Sequence, residues 1–176
     1  MSNLLYANFS RMIRNKLFLI GMGFMFFAGS FLCFQQYRQL VGYHAQVKLD
    51  STFFTYTLMI GVISAIFCSL FVGVEYNDGT MRNKIIAGHK RTEIYFSNLI
   101  VNIVASFLMC GSYILANVVV GIPMIGALTI PINKVLLIVF GSLITVVAFC
   151  SIFTMISLLV SSKAIAPIIC LSLIHI

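Results

Sequence analysis

Charge is what this sequence has least of. Aspartate and glutamate number 4 in 176 residues, lysine and arginine 11, and charged residues make up 9% of the chain. A water-soluble domain carries roughly 25%, so that class is excluded before any motif is considered. The scarcity comes in blocks. Leu17–Phe34, Phe53–Val74, Ile94–Asn133 and Val135–Ser162 contain no charged residue at all. An intramembrane proton relay, a voltage sensor or an ion-coupled pump needs ionisable groups within its spans, and these runs offer none.

Signatures of catalysis are missing as well. No GxxxxGK[ST] phosphate loop occurs; Gly79-Thr80 and Gly88-His89-Lys90-Arg91-Thr92 lack its spacing. HExxH, GxSxG and paired intramembrane carboxylates are absent. His44, His89 and His175 fall in three separate regions and form no evident cluster. Cys33, Cys68, Cys110, Cys150 and Cys170 each lie in an apolar stretch, with no CxxC and no neighbouring histidine. Such cysteines read as small buried hydrophobes, not as a disulfide framework or a zinc site. The chain is therefore expected to be no enzyme and to hold no cofactor or metal. Any ATP-driven role would place ATP and magnesium on a separate subunit.

What is there is apolar: 61% hydrophobic residues and a mean hydropathy of +1.08. Crossing ~30 Å of hydrocarbon takes about 20 such residues. The runs predict an all-α integral membrane protein, a polytopic helical bundle with four complete spans near residues 17–34, 53–74, 94–119 and 135–160. A truncated fifth span starts at Ala164. The third run is too long for one span, and Gly121, Pro123, Gly126 and Pro131 punctuate it. A helix followed by a re-entrant or external segment is expected there. A cleaved signal peptide is the competing reading of residues 1–34, but the run is longer than a 7–15-residue apolar core and further spans follow.

The cations sort by side. Arg11, Arg14, Lys16, Arg82, Lys84, Lys90, Arg91 and Lys163 fall on one side of these spans, and Arg38, Lys48 and Lys134 on the other. The positive-inside rule then puts the N-terminus and the connection between spans two and three in the cytoplasm. Net charge of +7 is thereby accounted for by topology, with the lipid bilayer rather than nucleic acid as its partner. The location expected is a bacterial plasma membrane, multi-pass.

The tail Leu171-Ser-Leu-Ile-His-Ile176 reverse-translates to CTG TCT CTT ATA CAC ATC, a transposase end used in sequencing libraries. Residues 171–176 are accordingly expected to be adapter read-through, and residues 1–170 a C-terminally truncated transmembrane domain. An ordinary apolar terminus is the alternative.

Within the apolar runs, polar and small residues form stripes. Leu5, Phe9, Met12 and Ile13 share one arc of an amphipathic lead-in helix, with Arg11, Arg14 and Lys16 reaching toward headgroups. Gln35 to Thr52 reads as a short polar external loop. Gly61, Ala65, Ser69 and Gly73 recur every fourth position in span two and make a narrow groove for close helix packing, within the chain or across a dimer. Asn98, Asn102, Ser106, Tyr113 and Asn117 fall on one arc of span three. They face protein or a water-filled path, so they either tie the bundle together or line a candidate translocation path.

The one polar island, Glu75 to Glu93, carries four cations and three of the four carboxylates. Asn77-Asp78-Gly79 signals a turn. Thr80 is a fair N-cap for a helix from Met81 to Ala87, and Gly88 suits the left-handed position that ends it. Met81, Ile85 and Ile86 share a face, with Arg82 and Lys84 off it; Thr92 and Glu93 cap and charge the start of span three.

The pattern Gly73-x-Glu75-Tyr76-x-x-Gly79-Thr80-x-Arg82-Asn83-Lys84-x-Ile86, continued by Gly88-x-x-Arg91-x-x-Ile94-Tyr95, resembles the cytoplasmic loop between spans two and three of ABC-2-type transporter permeases. The N-terminal helix ending Arg14-Asn15-Lys16-Leu17-Phe18 agrees with that layout. Resemblance covers residues 1–170, its specific part being the island; the spans match in hydropathy. It implies a dimeric exporter core, with a second copy or a paralogue, and an island that acts as a coupling helix on a cytosolic ABC ATPase. By that resemblance Met81, Ile85 and Ile86 form the docking face, Arg82, Lys84, Lys90 and Arg91 the electrostatic contacts. Gly79, Thr80 and Gly88 shape the helix, while Glu75 and Tyr76 pass its motion into span two. The function implied is the permease subunit of an ATP-driven exporter of unidentified substrate. The alternative is a small membrane interaction or immunity protein that recruits a cytosolic partner without transport.

Overall fold

A computed structural model describes residues 2–43, 48–160 and 162–174; His44 and His175 lie outside them. Among the described residues the chain is helical, without strands. In order come α1 (Ser2–Ile13), α2 (Lys16–Tyr43), α3 (Asp50–Phe53), α4 (Tyr56–Asn77), α5 (Thr80–Ile86), α6 (Arg91–Ala116), a π-helical segment (Asn117–Gly121), α7 (Ile122–Ile125), α8 (Ile132–Leu159) and α9 (Ile165–Ile174). Four stretches are long and apolar enough to cross a membrane: Lys16–Gly42, Asp50–Asn77, Arg91–Ile125 and Ile132–Leu159. They make a multi-pass helical bundle.

Two predicted connections turn out helical. Residues 35–43, expected in a loop, prolong α2, because no proline interrupts them and the helix hydrogen bonds simply continue. Asp50–Phe53 form α3 at the other end of that connection. The break expected at Gly121 and Pro123 is also displaced. The helix continues through a π turn at Asn117–Gly121 into α7, with Pro123 the second residue of α7. The chain leaves the helix at Gly126, with φ 111°.

Successive spans run antiparallel, with α4 and α6 at the centre. Helix α4 packs mainly on α8 and α9, and α6 on α2, α8 and α1. Their buried side chains include Tyr56, Phe71, Val101, Met109 and Tyr113. Outward-facing Leu19, Ile20, Phe27, Leu136, Leu137 and Phe140 on α2 and α8 are exposed, as a lipid-facing surface requires. Close backbone approach holds the pairs together in a medium where burial of apolar area gives little. A Cβ on Gly29 of α2 would lie 3.0 Å from Ala116 Cβ, and one on Gly73 of α4 would lie 3.2 Å from Lys163 Cα.

Candidate functional site

At the island end of the bundle one carboxylate is fully buried. Glu75, in the last turn of α4, has 0% exposure. A lone carboxylate there would be prohibitive, and three elements supply its partners. Arg11 Nη1 of α1 lies 2.5 Å from Oε1, Lys84 Nζ of α5 bonds the same oxygen, and Asn98 Nδ2 of α6 donates to Oε2 at 3.2 Å. Arg11 also stacks its guanidinium 3.9 Å from the centre of the Phe71 ring. Asn8 completes the network: it accepts from Lys84 Nζ at 3.1 Å and donates to Ser97 Oγ at 2.9 Å and Asn98 Oδ1 at 3.2 Å. Burial pulls the Lys84 ammonium below the usual lysine range, while the Glu75 charge opposes that pull.

The geometry of α5 follows from its glycines. Gly79 holds the N-cap position at φ 67°. Thr80, expected as the cap, is instead the first helical residue and donates its hydroxyl to the Glu75 carbonyl at 3.1 Å. The other end is a Schellman turn. Gly88, at φ 84°, donates to the Ile85 carbonyl at 3.0 Å, and His89 to the Lys84 carbonyl at 3.2 Å. Lys90 occupies the N-cap position of α6, with Glu93 in its first turn and His89 Nδ1 3.4 Å from the Glu93 carboxylate. Thr92, expected as a cap, is instead the second residue of α6, and the N-cap residue Lys90 makes no side-chain capping bond.

The predicted site residues separate into inward and outward sets. Met81 is buried with Leu4, Val72 and Ile94, which leaves Ile85 at 45% and Ile86 at 72% exposure as the outward apolar pair. Lys84 turns inward; Arg82, Lys90 and Arg91 are exposed. Tyr76 donates its hydroxyl to the Leu158 carbonyl at the end of α8, satisfying one of the carbonyls a helix terminus leaves unpaired. A recess of about 380 Å³ beside it is lined by Tyr76, Met81, Ile85 and Arg91 with Ile94, Leu158 and Leu159. Gly61, Ala65, Ser69 and Gly73 are all buried; a Cβ on Gly61 would meet Phe149 of α8 at 3.9 Å.

The amide stripe of α6 is wholly buried, and its partners lie within the chain. Asn102 Nδ2 donates to Thr154 at 2.9 Å, and Ser106 pairs with Cys150 at 3.3 Å. Tyr113 donates to the Thr52 carbonyl at 2.8 Å, and Asn117 accepts from Cys33 at 3.3 Å.

Arg11 and Asn8 are among the participants that the sequence reading missed. Arg11, placed among headgroups, instead reaches Glu75, because an ion pair outweighs solvation for a guanidinium beside a buried carboxylate. Asn8 went unnoticed. Its signal was a polar residue in register with Leu4 and Met12 on the inward face of α1, all three buried.

A multi-span helical membrane domain with a short polar helix tied into its own bundle is the class these features define. Residues 4–176 match the family described as ABC-2 family transporter protein, and the chain belongs to that family. No curated protein and no solved structure matches it. Membership makes the chain a permease subunit of an ABC transporter and implies an ABC ATPase as its partner.

Proposed function

We propose that the chain couples ATP hydrolysis on a cytosolic ABC ATPase to export across a bacterial plasma membrane, paired with a second copy or a paralogue. In this reading ATP and magnesium belong to the partner and the chain performs no catalysis. The N-terminus and the island lie in the cytoplasm, where most cations fall.

The observation that carries the reading is the double attachment of α5. Its outer side presents Ile85 and Ile86 among Arg82, Lys90 and Arg91, an apolar pair in a basic rim. Its inner side joins Glu75 through Lys84, and Glu75 joins α1 and α6 through Arg11 and Asn98. Displacement of α5 by a partner would move three bundle elements together, as alternating access demands.

The test is co-expression with a candidate ABC ATPase, pull-down, and hydrolysis assay in lipid. Ile85→Asp with Ile86→Asp is expected to abolish co-purification while membrane insertion persists. Loss of two central apolar anchors at about 2 kcal/mol each amounts to roughly a thousandfold in affinity. Unchanged co-purification would overturn the docking assignment, and failure of the wild-type chain to bind any ATPase would favour the interaction-protein alternative.

A further inference from the structure

The recess beside Tyr76 reaches an element that the Glu75 network does not. That network joins α1, α4, α5 and α6. The recess, about 380 Å³, is walled by α4, α5 and α6 and also by Leu158 and Leu159 at the end of α8. Its base is apolar: Met81 and Ile94 are buried, and Tyr76 and Leu158 pack on the same cluster. At its mouth stand Ile85, 45% exposed, Leu159, 75% exposed, and the exposed Arg91. An apolar hollow at the charged end of the bundle is favourable to fill, because its occupant leaves water.

The lining restricts the occupant. The Tyr76 hydroxyl already donates to the Leu158 carbonyl. Arg91 alone is charged among the described residues that line the recess, and it makes no ion pair among the described residues. Of the island's carboxylates, Glu75 is fully buried, Glu93 faces His89, and Asp78 lies in the turn before α5, outside the lining. The complement is a large apolar group beside a carboxylate. A fatty-acid-like amphiphile has both parts but leaves Ile86, 72% exposed, in water. Ile85 belongs both to the recess and to the outward pair of α5, so a protein that covers the pair also covers the mouth. Resting on the docking reading above, we infer that the recess receives a large apolar side chain of the ABC ATPase, flanked by an aspartate or glutamate that meets Arg91. Through Leu158 and Leu159 the inserted side chain bears directly on α8, the span that the Glu75 network leaves out.

The test is photo-crosslinking in membranes, with benzoylphenylalanine in place of Leu159 in the full chain co-expressed with a candidate ABC ATPase. Crosslinking to the ATPase is expected from position 159, at a segment where an acidic residue adjoins a large apolar one. None is expected from Leu137, 74% exposed near the other end of α8. Leu159→Asp and Arg91→Glu, both at exposed positions, should each weaken ATPase binding by on the order of tenfold with the unfolding temperature unchanged. Reversing the charge of the mapped acidic residue should restore binding to Arg91→Glu. An ATPase that binds through Ile85 and Ile86, yet neither crosslinks from position 159 nor responds to Leu159→Asp, overturns the recess and leaves the docking reading standing. Crosslinking to lipid alone overturns it in favour of an amphiphile site. A wild-type chain that binds no ATPase overturns both readings together.

Discussion

The island end and the middle of the bundle solve the same problem with different chemistry. Both must satisfy polar side chains away from water. Around Glu75 the solution is ionic, with Arg11 and Lys84 on one carboxylate and Asn8, Ser97 and Asn98 filling in. Between α6 and α8 it is neutral, with Asn102 on Thr154 and Ser106 on Cys150. Neutral pairs in a membrane contribute little each, because the alternatives also find partners. An ionic junction is different: removing one member strands the others as unpaired charge. The bundle therefore places its least tolerant contact at the connector between α4 and α6, and its more forgiving contacts where helices pack.

Glu75→Ala breaks this contrast most severely. Losing the shared carboxylate leaves Arg11 and Lys84 facing each other, and stability is expected to fall by about 3–5 kcal/mol, read as thermal unfolding of the purified chain in detergent. Replacing Arg11, Glu75 and Lys84 together by methionine and leucine should recover most of that loss, since a buried ionic group often does no better than a packed apolar one. A triple variant as unstable as Glu75→Ala would mean that packing, not stranded charge, governs the junction.

Tyr76→Phe tests the same end without charge. It removes only the bond to the Leu158 carbonyl, and a loss of about 1 kcal/mol is expected. A loss approaching that of Glu75→Ala would erase the distinction between ionic and neutral contacts. Asn102→Ala, in the middle of the bundle, should cost least, about 0.6 kcal/mol, measured by the same unfolding assay. Its Oδ1 already lacks a partner among the described residues, which keeps the expected loss small.

Much of this was legible one residue at a time. The Gly88 helix stop appeared where the left-handed preference of glycine places it. The inward face of the α6 stripe followed from amide desolvation, and burial of all five residues agrees with it. Pairings over long sequence separation were not legible. Arg11 and Glu75 are far apart in the chain, and an arginine near a membrane surface satisfies headgroups as readily as a carboxylate when only spacing is considered. Lys84 and Met81 share that difficulty. Each sits on a short helix that could turn either face outward, and only the Leu4, Val72 and Ile94 packing around Met81 decides which.

By itself the sequence determined the solvent. Long uncharged runs admit only helices that satisfy their own backbone in lipid, and the island's wording pointed to the ABC-2 family that residues 4–176 match. Only the tertiary structure decided which charges look inward. A buried carboxylate is tolerable solely where separate elements bring cations within hydrogen-bond reach, and that convergence of α1, α4, α5 and α6 on Glu75 is a property of packing in space, which residue order along one chain does not contain.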